Sequence, residues 1–299
     1  MRKTLFFMSF LLLAACNNDE TQTDTPTKPP QPGNDKMRVN IVSRADDVIT
    51  AEVLNAGLFM VNYMNGEQDN LLSQSNYVNN LQLTYKNGQW LTSEPIYWND
   101  MNTKADFYAY APYIQELSDA RKMPFSVQSN QNSQEAFAMS DFLWGAIKGQ
   151  SPVDTNFDLV LTHQLSRLTV AVIAETGFDE GELQASDVSV VIGGTKISCI
   201  IDLFDGALTL TGTAQDVTCM NNGDLTYTAI LLPQQIPFAN LIQVDWRGNK
   251  YVLQNSFNLE AQRQYTLTVK LKKTKSGFDI GIEGWDILPE DFGGTIGGN

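Results

Sequence analysis

Histidine occurs once in the 299-residue chain, cysteine three times, and the 20 lysines and arginines are outnumbered by 34 aspartates and glutamates. With His163 alone, at most one imidazole-based triad is available, and no G-x-S-x-G turn surrounds any serine to supply its nucleophile. No C-x-x-C, no His/Cys cluster and no zinc-ligand spacing occurs. Asp100, Asn102 and Asp106 outline a calcium loop only faintly, because Lys104 and Ala105 stand where such a loop needs an oxygen ligand and a glycine. Gly193-Gly194 reads as a tight turn, since no Gly-Lys-Ser/Thr helix start follows it. No spacing predicts a converging carboxylate pair. A pI near 4.4 argues against the clustered base that nucleic acid or an anionic membrane surface requires. Long helical periodicity is missing, and at most residues 46–56 carry a short helical turn. The chain reads as a non-enzyme with no cofactor and no metal.

What is there begins at the N-terminus. Met1-Arg2-Lys3 is a positive leader, residues 5–13 are an apolar run too short to span a bilayer, and Leu13-Ala14-Ala15-Cys16 closes it. This looks like a bacterial lipoprotein signal, in which the thiol of Cys16 is acylated and becomes the new N-terminus. Loss of residues 1–15 removes Arg2 and Lys3 and leaves 18 basic against 34 acidic residues, a balance of −16. Residues 16–36 then form a disordered tether, with a proline cluster and no apolar residue between Asn17 and Asp35. Cys199 and Cys219 remain, an even pair in an oxidising compartment, and either a disulfide or two separate buried thiols fits them.

The rest alternates with period two. Met37, Val39 and Ile41 share one face of a first strand, and a polar break at Ser43-Arg44-Ala45-Asp46-Asp47 follows. Further strands are read at 57–64, 78–86, 105–112, 140–147, 157–161, 168–174, 188–192, 196–201, 207–210, 225–232, 241–246, 250–253, 265–271 and 278–282. Asn87-Gly88 marks a type I′ hairpin. Phe107 and Ala109 alternate with Tyr108 and Tyr110, which predicts a strand covered on both faces. Residues 126–135, rich in Asn, Gln and Ser, read as a loop. Short strands at regular spacing predict an all-β protein built of sandwiches. A break near Gln164 divides it into sandwiches at 37–164 and 165–288, and residues 289–299 form a flexible glycine-rich tail.

Several landmarks follow one another in order: Leu-Ala-Ala-Cys, Ser43-Arg44-Ala45, Tyr97-Trp98 before Asp106-Phe107-Tyr108-Ala109-Tyr110, and Ser140-Asp141-Phe142-Leu143-Trp144-Gly145. After them come Leu161-Thr162-His163-Gln164-Leu165-Ser166-Arg167-Leu168, Leu232-Pro233-Gln234, Tyr265-Thr266-Leu267 and Trp285. The set resembles the fimbrillin family, the Mfa-like subunits and adhesins of type V pili. The resemblance implies two tandem transthyretin-like Greek-key β-sandwich domains, export as a lipoprotein, and a proteolytic cut after Arg44, before Ala45. It further implies that a strand bearing Met37, Val39 and Ile41 leaves, and that a strand donated by another pilus subunit fills its place. The family donor is the C-terminal segment, here 285–299, whose apolar residues are few. The implied location is the surface face of the outer membrane, held there by acylated Cys16, and the fimbria. The implied partners are other subunits, the membrane lipid and a host or bacterial surface receptor. The alternative is a surface glycan-binding lipoprotein of a polysaccharide-uptake system, whose mark would be exposed Trp or Tyr side chains in a row. Trp90, Trp98, Trp144, Trp246 and Trp285 read better as core.

Overall fold

The computed structural model describes residues 37–39, 41–45, 55–72, 76–87, 89–92, 94–272 and 290–291, of which 41–45, 89 and 290–291 are described by their backbone. The helical turn expected at 46–56 falls almost wholly outside these residues, and the strand expected at 278–282 does so entirely. What is described is nearly all β.

The first unit holds β1 (Ile41–Ala45), β2 (Ala56–Asn62), β3 (Val78–Lys86), β4 (Gln89–Thr92), β5 (Ala105–Ala111), β7 (Leu143–Gln150) and β8 (Phe157–His163). Their hydrogen-bonded order is β1-β4-β3-β2-β5-β7-β8, and the ladder closes because β1 lies parallel on β8. Alternate residues on each strand face opposite ways. Leu58, Met60, Phe107, Ala109, Leu159 and Leu161 therefore fill the interior with Trp90 and Trp98. Phe59, Val61, Tyr108 and Tyr110 instead join the core of the other unit. The two-faced burial read from the alternation in β5 holds, since all seven of its residues are buried. Asn87, at φ 53°, turns β3 into β4 as the Asn-Gly pair predicts.

The second unit is two facing sheets. One runs β11-β10-β14-β15, from β10 (Val188–Asp202), β11 (Ala207–Thr218), β14 (Gln234–Trp246) and β15 (Asn249–Leu259). The other runs β12-β13-β9-β16-β17, from β9 (Ser166–Ala174), β12 (Met220–Asn221), β13 (Thr226–Leu231), β16 (Arg263–Leu271) and β17 (Glu290–Asp291). Val190, Ile192 and Val244 meet Leu168, Val170, Leu267 and Val269 in one buried cluster between them.

Several expectations change here. The polar break expected from Ser43 is strand through Ala45, because backbone pairing on β8 does not need apolar side chains, and Glu290–Asp291 of the expected flexible tail pairs with Arg263–Gln264 of β16. The strands read at 188–192 and 196–201 are one strand, β10, and Gly193-Gly194 is a bulge within it, where the register on β11 jumps between Ile192 and Thr195. A Cβ on Gly193 would stand 2.1 Å from the Asn240 carbonyl oxygen, so only glycine lets β14 approach this closely.

The polar stretch 126–135 is not a plain loop. Between β5 and β7 the chain leaves the first unit, and β6 (Met123–Ser126) pairs with Ser198–Ile201 of β10. The chain returns through a short helix, α1 (Gln134–Met139), capped by Ser133, whose Oγ accepts the Ala136 N–H at 3.1 Å. On the way the fully buried Gln131 donates from Nε2 to the Ile230 carbonyl and accepts the Ile230 N–H at Oε1, both at 2.8 Å. Its amide takes the place of a neighbouring strand on β13.

Candidate functional site

The cut and strand displacement expected at Arg44 direct attention to β1, a seam paired unequally on its two sides. Five rungs join it in parallel to β8, from Ile41 on Phe157 to Ala45 on Leu161. Among the described residues, one antiparallel rung, Ser43 on Trp90, joins it to β4. Over Phe157–Leu161, β1 supplies the ladder, because the β7–β8 register is confined to Leu143 on His163 and Trp144 on Thr162.

Upstream of β1 the extended chain continues along residues 96–98. The Val39 N–H donates to the Ile96 carbonyl at 2.8 Å, and the Met37 carbonyl accepts the Trp98 N–H at 2.9 Å. Val39 is buried, Met37 half-buried and Arg38 exposed, in the alternation expected of this segment. The side chains of Ile41, Arg44 and Ala45 lie outside the described residues. Beneath the segment is an aromatic floor. Trp98 meets Phe107 edge-on at 5.6 Å between centroids, Phe107 lies 5.2 Å from Phe157, and Trp90 meets Tyr85 at 5.6 Å. Trp98 Nε1 donates to the Val153 carbonyl at 3.2 Å. Sequence reading placed these tryptophans in a core but did not show that they line the seam. The aromatics that open β4 and β8 were the available signal.

Elsewhere, ladder gaps are closed by side chains. Where β10 parts from β14, Gln234 Oε1 accepts the Lys196 N–H at 2.8 Å and its Nε2 donates to the Lys196 carbonyl at 2.9 Å. Gln131 does the same for Ile230. Polar side chains thus stand guard where edges would invite a foreign strand.

The remaining candidates resolve individually. His163 closes β8 and is fully buried, with Nδ1 2.7 Å from Oδ2 of Asp141, itself buried. Asp100 is a turn residue. Its Oδ1 accepts the Asn102 and Thr103 N–H groups at 2.8 and 2.6 Å and its Oδ2 accepts the Thr103 hydroxyl, and these bonds lower its pKa to about 2. No group of three or more His, Cys, Asp or Glu side chains gathers among the described residues, and no described helix is long and apolar enough to cross a membrane.

Cys199 and Cys219 are free, buried thiols, which corrects the disulfide considered for them. The Cys219 N–H donates to the Val190 carbonyl, nine residues from Cys199 along β10. At about 3.3 Å per residue that is on the order of 30 Å, far beyond the roughly 7 Å a disulfide spans. Trp90, Trp98 and Trp246 are buried, and half-buried Trp144 donates Nε1–H to the Leu203 carbonyl at 2.8 Å. Among the described residues, the exposed large side chains include no Trp or Tyr to form the sugar-stacking row.

The fold defines the class, an all-β protein of paired, curled sheets. The fimbrillin-like family profile matches residues 43–285, and the chain belongs to that family. Its function is that of a structural and adhesive subunit of a fimbria. Among solved structures it is similar to a candidate cell adhesion protein of Bacteroides uniformis (20% identity, TM-score 0.62, covering 88% of this chain and 100% of that one). A candidate cell adhesion protein of Bacteroides ovatus gives 14% identity and a TM-score of 0.65, over 86% of this chain and 98% of its own. The tip fimbrial protein Mfa3 of Porphyromonas gingivalis, C-terminally truncated, gives 9% and 0.53, over 86% and 100%. No curated protein matches the sequence.

Proposed function

We propose that this subunit is exported as a lipoprotein acylated at Cys16, held on the outer membrane facing outward, and activated for assembly by a cut between Arg44 and Ala45. The segment carrying Met37, Val39 and Ile41 then leaves, and a strand from another subunit takes its place on β8. The observation that carries the reading is the seam itself: five rungs to β8, one to β4, over an apolar floor.

The energetics suit exchange. Each backbone hydrogen bond is worth about 0.5–1.5 kcal/mol net, and burying a valine such as Val39 adds roughly 1.5–3 kcal/mol. The departing strand is therefore held by roughly 5–13 kcal/mol, and an incoming strand of equal length restores the same bonds. Once vacated, the slot exposes apolar wall and unpaired backbone, which drives capture.

In this reading, sandwiches at 37–164 and 165–288 are the tandem transthyretin-like domains of the family. Residues 16–36 tether them to the lipid, and the tail from Trp285 serves as donor or, given its glycines, leaves this chain at a tip or anchor. The protein works by assembly and receptor contact, not by catalysis.

The test is mass spectrometry of the N-terminus from membrane and from sheared surface material, for the wild type and Arg44→Ala. We expect sheared wild-type chains to begin at Ala45 and Arg44→Ala to remain unprocessed and unassembled. Intact assembly of Arg44→Ala overturns the cut.

A further inference from the structure

Phe238 is the most exposed large hydrophobic side chain among the described residues, at 70%. It sits in a bulge of β14, where the register on β15 jumps between Ile236 and Ala239. A bulge re-aims the side chain it carries, and this one is built for: Gly194, at φ +74°, lies so close that a Cβ there would be 3.1 Å from Ala239 Cβ. Around Phe238 the outward positions are amides and a hydroxyl. Gln235 pairs across the strands with Asn258, Asn240 with Gln254, and Ser256 lies between, all exposed.

In a chain with 34 acidic residues, the stretches 234–243 of β14 and 251–259 of β15 contain no charged residue at all. Gln254 Nε2 donates to Asn240 Oδ1 at 2.9 Å. That leaves the Asn240 nitrogen as donor and the Gln254 carbonyl as acceptor, side by side on exposed side chains.

We propose that this face binds a neutral glycan. A donor and an acceptor on adjacent planar amides match two neighbouring hydroxyls. The phenyl face of Phe238, negative at its centre, attracts the C–H groups on the flat side of a pyranose ring. The lack of charge disfavours an acidic sugar or a basic peptide and costs a polyol nothing. Residues 238 and 240 share a face about 7 Å apart, so ring and amides act on one or two sugar units. The site is independent of strand exchange and lies in the other unit.

The full exported chain is tested on a printed array of α-glucan, β-glucan, mannan and N-acetylglucosamine oligomers beside sialylated and sulfated glycans, followed by calorimetry with the strongest. We expect a neutral glycan to be held. Phe238→Ala should weaken binding at least tenfold, Asn240→Ala and Gln254→Ala several-fold each, and Val252→Ala not at all. Phe238→Tyr should restore binding, and the melting temperature should not change. The proposal is overturned if no neutral glycan binds, if only acidic glycans bind, or if Phe238→Ala binds as well as the wild type. It is also overturned if sedimentation shows that Phe238→Ala merely converts a self-associating chain to a monomer.

Discussion

The two units of this chain solve one problem with unequal commitment. In each, the first strand lies parallel to a late one: β1 on β8, and β9 on β16. The copy in the second unit is long and held on both sides, by eight parallel rungs to β16 and six antiparallel rungs to β13. Its alternate residues Leu168, Val170 and Val172 are sunk in the core. Among the described residues, the copy in the first unit has five rungs on one side and one on the other. On the strand exchange proposed above, the copy in the second unit is the permanent one and the copy in the first unit the replaceable one, and the difference lies in length and pairing.

The largest effect should come from attacking the permanent copy. Val170→Asp puts a carboxylate in a fully buried position and is expected to cost more than about 4 kcal/mol, abolishing the folded state at 37 °C. A chain starting at Ala45 should keep a cooperative melt and its near-UV signal while becoming prone to self-capture. Equal losses in the two variants, read by circular dichroism and size-exclusion chromatography, would sink the comparison.

A middle-sized effect tests the guarded edges. Gln131→Ala leaves the Ile230 N–H and carbonyl without their side-chain partner and should cost about 1–3 kcal/mol in urea melts. Gln254→Ala, on the open face, should stay within about 0.5 kcal/mol of the wild type.

The smallest effect is a pH slope. Burial pushes the Cys199 thiol from 9.0 up to about 12 and raises Cys219 further, and burial raises Tyr227 from 10.0 to about 12. Above pH 9 the unfolded chain releases protons that the folded chain keeps, so stability is full below that pH and falls as pH rises towards 12. Urea midpoints at pH 8 and 11 should show the decline, and Cys199→Ala should flatten it. Two thiols should react with a thiol reagent after unfolding and neither before.

Much of the fold was legible because burial writes itself into alternation. Phe107 to Tyr110 and the Asn87-Gly88 turn were read from pattern alone, whereas the first strand, read from Met37 to Ser43, lies at Ile41–Ala45 with a bridge at Arg38 before it. What escaped was set by partners distant in sequence. The Met123–Ser126 strand is too short to announce itself, and Gln131 looks solvated until Ile230 is seen beside it. Strand lengths in the second unit were underestimated because Gly193-Gly194 and the Pro237-Phe238 step mimic turns when they are bulges. The candidate seam was legible as a strand but not as a weakly held one, since pairing on β4 and β8 leaves no local signature.

The excursion between β5 and β7 has a mechanical consequence. In the assembly proposed above, a load entering at the β8 slot would pull on the first unit, and one leaving by the tail would pull on the second. Neither can be drawn away from the other by simply stretching the short link between β8 and β9. The Met123–Ser126 strand is sewn into β10 by four rungs, Arg121 grips Asp202 at 2.8 and 2.9 Å, and Phe204 is clamped under Lys148 and Arg121 at 4.0 and 4.6 Å. Traction is shared across several chain crossings in parallel, as in a lap joint, so the subunit should rupture as one body rather than unzip one half at a time.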